Sequence, residues 1–112
     1  MTKETKVTVG SGNVFADLGL KNADELLAKA ELALRITVAL KAQKLTQLEA
    51  AEILGIDQPK VSKLVRGELY GFSSDQLFRF LTSLGQDVEI TVKSASRRRA
   101  RGKLTVRATS NP

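Results

Sequence analysis

Between Asn22 and Gly85 the apolar residues recur at helical spacing, and beyond Gln86 the period drops to two. That change separates a helical body from a β-like tail. Asn22 and Glu25 stand in capping-box spacing, which predicts a long helix running to about Gln43. Its apolar residues form two faces, Leu27, Ala30, Leu34 and Val38 on one and Leu32, Ile36, Ala39 and Leu40 on the other. A helix apolar on two sides is expected to touch two partners: the core, and either a second subunit, another protein or the N-terminal arm.

Two short helices joined by a glycine turn are expected next. Thr46 with Glu49 repeats the capping-box spacing, and Leu48, Ala51 and Ile53 to Leu54 are the expected buried side of the first. Gly55 permits the positive φ that ends it. Asp57 can cap the second, with Ile56 and Val61 at staple spacing and Pro59 in the first turn, where a missing N–H costs little. Val61, Leu64 and Val65 make its apolar face. Pro59, Ser62, Lys63 and Arg66 point away from that face, and Gln58 and Lys60 flank them. A crossover from Glu68 to Phe72 leads to a further helix. Ser73 and Gln76 open it, Leu77, Phe78, Leu81 and Leu84 form its buried face, and Gly85 stops it, with Phe72 at staple spacing from Leu77.

In the tail, Val88, Ile90 and Val92 alternate with polar residues, as do Leu104, Val106 and Ala108. The two runs predict a hairpin around a loop holding Arg97, Arg98, Arg99 and Arg101. Two strands alone are marginal in water, so a homodimer is expected, with strands of twin chains joined or packed across a two-fold axis. Residues 1–12 read as a frayed arm or short edge strand, and Asn13 to Leu20 as an apolar cluster packed on the body. The expected organisation is thus an arm with its cluster (1–21), a helical domain (22–85) and a β tail for dimerisation (86–112).

Composition narrows the chemistry. The 112 residues carry a formal charge of +6 and suffice for one small core. From Ser73 onward eight basic residues face three acidic ones, so most of the excess charge lies in the last third, as suits a polyanionic partner. There are no cysteines or histidines, which excludes disulfides and zinc ligation by those residues and permits a reducing interior. No apolar run is long enough to span a bilayer and no signal-peptide core follows the start, so a soluble cytoplasmic protein is expected. Ser73, Ser74 and Asp75 are better explained as a helix start than as a nucleophile site, and no phosphate loop or metal cluster is visible. Neither enzymatic activity, cofactor nor metal is expected. RNA binding by the arginine loop lacks stacking platforms, since Phe78 and Phe80 lie on a helix and only Tyr70 looks free.

The polar face from Gln58 to Arg66 has groups that reach base edges and phosphates from a helix in the major groove of double-stranded DNA. A lone glycine between helices fits an ordinary bundle equally well. Gln47, Ala51, Gly55, Val61 and Leu64 together are more specific, because their spacing resembles the helix-turn-helix of the Cro and phage-repressor superfamily, the XRE family. The resemblance implies a mostly α fold, a lambda-repressor-like helix-turn-helix domain, here with a C-terminal two-stranded β extension. It also implies a regulator, a repressor, whose Gln47 contacts phosphate or base and whose Gln58, Lys60, Ser62 and Lys63 enter the groove. Gln58 suits adenine and Lys60 guanine; Pro59 departs from the small polar residue common there and offers apolar contact, as to a thymine methyl. Arg97, Arg98 and Arg99 are read either as phosphate ligands or as a solvated loop.

The order Gly12 to Leu20, Ala23 to Ala33, the paired helices and Gln86 to Val92 is similar to an XRE subgroup that includes HigA-like antitoxins. In those systems a dimeric antitoxin binds a small ribonuclease toxin and represses its own operon. That likeness implies toxin contacts at Phe15 to Leu20 and on the long helix. Other members of the subgroup act alone as regulators.

Overall fold

Hydrogen bonds spanning only three or four residues set the helix ends. Thr46 Oγ1 accepts from the Glu49 N–H at 3.1 Å while the Glu49 carboxylate accepts from the Thr46 N–H at 2.8 Å. Ser73 and Gln76 form the same reciprocal box at 3.1 and 2.9 Å. Asp57 Oδ1 accepts from the Lys60 N–H at 2.9 Å. Each cap satisfies donors that a helix start leaves orphaned. The computed structural model describes residues 4–6, 22–94 and 102–108, and among them the elements are β1 (Glu4–Lys6), α1 (Asn22–Ala42), α2 (Gln47–Leu54), α3 (Gln58–Val65), α4 (Ser74–Ser83) and β2 (Thr91–Lys93).

The C-terminal ends are closed by left-handed turns. Gly55 takes φ 72°, and the Ile56 N–H returns to the Ala51 carbonyl at 3.1 Å. Lys44 does the same after α1 with φ 56°, a conformation that costs an L-residue roughly 1–2 kcal/mol. The Leu45 N–H still reaches the Leu40 carbonyl at 3.0 Å there.

Packing converges on one apolar cluster in which α1 lies against α4 and α3, and α2 against α3. Ile36, Val61, Leu64 and Leu77 are its fully buried large side chains. Fully burying a side chain of this size stabilises by about 1.5–3 kcal/mol. Phe72 meets Phe80 edge to face at 6.2 Å, which holds the crossover onto α4. Gln43 Nε2 donates to the Leu84 carbonyl at 2.7 Å and ties the end of α1 to the end of α4.

Two expectations are corrected. Leu48 and Ile53 are exposed, because α2 buries the stripe Ala50, Ala51 and Leu54, and both residues lie roughly 100° or more to either side of it. Second, β2 pairs antiparallel with β1, Glu4 opposite Lys93 and Lys6 opposite Thr91, rather than with the run from Leu104 to Ala108. Leu104 and Val106 still pack on the core, as do Val88 and Ile90, but 102–108 is irregular backbone. The alternation thus marked Val88, Ile90, Leu104 and Val106 as inward, whereas Val92 and Ala108 at the ends of the two runs are exposed, and it misidentified the strand's partner.

Of the two apolar faces of α1, only one is buried. Leu32, Ile36, Ala39 and Leu40 join the core, whereas Leu27 is 72% and Leu34 50% exposed, with Leu26, Ala30 and Val38 exposed beside them.

Candidate nucleic-acid interface

The eight residues of α3 divide cleanly between core and solvent. Val61 is 0% and Leu64 1% exposed, with Val65 partly buried, so the helix is anchored along one side. Gln58, Pro59, Lys60, Lys63 and Arg66 are exposed, and Ser62 is half-buried at the edge of that face. Anchoring fixes the rotation of the helix, and that rotation alone presents these groups together. The cap at Asp57 and the proline in the first turn set where α3 begins, which places Gln58 and Lys60 at its leading end. A helix about 10–12 Å across with its side chains matches a major groove about 12 Å wide. Gln47 stands at the first position of α2, exposed, beside the Thr46 cap.

At the other end of α3 the chain folds back sharply. Arg66 is the cap residue, Gly67 takes φ 78°, and the Glu68 N–H returns to the Lys63 carbonyl at 2.9 Å while the Gly67 N–H reaches Leu64 at 3.1 Å. Only a residue without a Cβ takes that φ at little cost. The turn brings the Glu68 carboxylate against the Arg66 guanidinium. Nε donates to Oε2 at 2.7 Å and Nη2 to Oε1 at 3.4 Å, while Nη1 donates to Ser62 Oγ. The hydrogen bond, and then the opposite charge, raises the Arg66 pKa and lowers that of Glu68, with Lys63 adding a smaller depression to the latter.

Thus the residues expected at α3 share one exposed surface, and Ser62 and Arg66 touch. Arg97, Arg98 and Arg99 lie outside the described residues, as do Phe15 to Leu20. Glu68 was missed by sequence reasoning. The signal was present in Arg66-Gly67-Glu68, since a glycine just past a helix end returns the following residue toward the last turn. Tyr70, on the same crossover, is fully exposed.

The comparisons agree with this geometry. A family model described as a helix-turn-helix domain matches residues 14–93. A solved structure described as an XRE family transcriptional regulator is 39% identical, with a TM-score of 0.76, and the match covers 80% of this chain and 100% of that one. Among curated proteins none matches. The mostly helical architecture and the paired helices α2 and α3 are those of that fold. The chain belongs to the helix-turn-helix family of XRE-type DNA-binding transcriptional regulators.

Proposed function

We propose that the chain is a sequence-specific repressor that reads a palindromic operator as a homodimer, with one α3 in each half-site. The observation that carries this reading is the division of α3, a side fixed in the core behind a surface of Gln58, Pro59, Lys60, Lys63 and Arg66. Two such helices related by a two-fold would enter half-sites about one helical turn, ~34 Å, apart. The β1–β2 sheet, only two strands of three residues each, supports pairing with a second copy, because so small a sheet is marginal alone. Gln47 would add a phosphate or base contact, and Arg97, Arg98 and Arg99 would add phosphate attraction. A gel shift of the full chain on its own promoter, at two salt concentrations and with competitor DNA, tests this. A specific complex that survives competitor is expected; binding that competitor removes altogether refutes sequence reading. Neutralising the three arginines should weaken binding to all sequences alike and flatten the salt slope by roughly 0.9 per lost phosphate contact.

A second reading is favoured by the exposed face of α1. Leu27, Leu34 and Val38 form an apolar stripe that the described core leaves uncovered. It supports an antitoxin in which this face holds a small ribonuclease toxin and the complex represses its own operon. The test is co-expression with the product of the adjacent reading frame. Growth arrest by that product, relieved by the wild-type chain and not by a Leu27→Asp, Leu34→Asp variant that still binds the promoter, supports it. Relief by the variant as well removes α1 from the toxin contact.

A further inference from the structure

We infer that Glu68 is a positioning residue for DNA recognition: it grips the Arg66 guanidinium so that the remaining edge is presented, already oriented, to a pair of acceptors on the duplex. The inference rests on the reading of α3 as the helix that meets DNA. A guanidinium carries five N–H donors in a planar fork. Glu68 takes Nε–H and one N–H of Nη2, and Ser62 Oγ takes one of Nη1. One N–H on each terminal nitrogen is left over, a number of donors that suits N7 and O6 of a guanine, or two oxygens of one phosphate.

Stability does not account for the arrangement. Both side chains are more than half exposed, at 54% and 55%, and exposed pairs of this sort contribute little to folding. Their effect grows where DNA displaces water from around them, because the same charges then act in a lower dielectric. The carboxylate has two consequences there. It freezes a long side chain before binding, which lowers the ordering cost of the contact. It also cancels much of the arginine's charge, so that Arg66 gains little from a phosphate it meets in the wrong geometry and random sequences are held less tightly. The backbone turn at Gly67 makes this possible by returning Glu68 to the end of α3.

The test compares the full-length wild type with Glu68→Gln, Arg66→Ala and the double variant, each titrated against the promoter fragment and a random-sequence duplex over a salt series. Glu68→Gln is expected to bind the random duplex more tightly, to steepen its salt slope by roughly 0.9, and to lower the promoter-to-random ratio by about tenfold. Arg66→Ala should lower that ratio as well, and the double variant should be no less selective than Arg66→Ala, since Glu68 acts only through the arginine. In wild type the Arg66 Nε–H should be a slowly exchanging nitrogen NMR signal that Glu68→Gln abolishes. Promoters with single guanines replaced distinguish the two acceptors: recovery of equal ratios at one base pair identifies a guanine, and equal behaviour at every position identifies a phosphate. An unchanged ratio in Glu68→Gln, or additive losses in the double variant, overturns the role of Glu68 and leaves the DNA reading standing. A wild type that does not discriminate between the duplexes overturns both.

Discussion

The outer faces of α1 and α3 are both exposed, yet one is apolar and the other is polar and cationic. On α3, Lys60, Lys63 and Arg66 stand over a side buried at Val61 and Leu64, which is the division expected of a helix resting on a core with water beyond it. On α1 the surface beyond the core repeats the apolar spacing through Leu27, Ala30, Leu34 and Val38. Exposed apolar side chains gain nothing from water, so that face is explained by something other than folding of the described helices. The polar face is suited to a polyanion and the apolar face to a protein surface.

The comparison is tested most strongly by stability. Leu64→Ala removes a fully buried side chain and should cost about 2–5 kcal/mol in denaturant unfolding, whereas Leu34→Ala, half exposed, should stay within roughly 0.5 kcal/mol. Comparable losses at the two sites would mean that the outer face of α1 is core after all. DNA binding gives the next largest effect. Gln58→Ala or Lys60→Ala should cost about 1–3 kcal/mol on the operator and less on random DNA, with folding intact. Equal losses on both duplexes would reduce α3 to a charged surface.

Smaller effects probe the elements that hold α3 in place. Asp57→Ala deletes the cap at its start and should lower stability by about 0.5–2 kcal/mol, read from the thermal midpoint. Lys44→Gly should raise stability by up to about 1 kcal/mol, because relief of the positive φ outweighs the added freedom of the unfolded chain; a lower midpoint would show that the lysine side chain matters more than its backbone. The smallest effect is a pH dependence. Glu68 titrates lower when folded than when unfolded, so its contribution is present above the unfolded carboxylate value and is lost as pH falls through the lower folded value. Stability of wild type minus that of Glu68→Gln should therefore decline toward acid. A difference that grows there would reverse the sign of the coupling.

Much of the helical body was legible because its signals are local. Thr46 with Glu49, Ser73 with Gln76, and Asp57 bond to groups three residues away, so spacing in the chain is nearly spacing in the structure. The exposed face of α3 was legible for a related reason, since the residues concerned span little more than two turns of one helix, where positions three and four apart lie side by side. Leu48 and Ile53 show where this fails. Apolar character permits burial without requiring it, and an eight-residue helix on a small core covers only one stripe.

By itself, then, the sequence determined where the helices begin and end, which side of α3 turns inward, and that Val88, Ile90, Leu104 and Val106 of the tail turn toward the core. Tertiary structure alone decided that β2 pairs with Glu4–Lys6, that one apolar face of α1 and not the other meets the core, and that Glu68 grips Arg66. The physical reason is the range of the forces involved. Caps and periodicity act within a few residues and are written in order along the chain. A strand's partner, by contrast, is whichever backbone arrives beside it, and an ion pair across a turn depends on a glycine's φ as much as on the two charges.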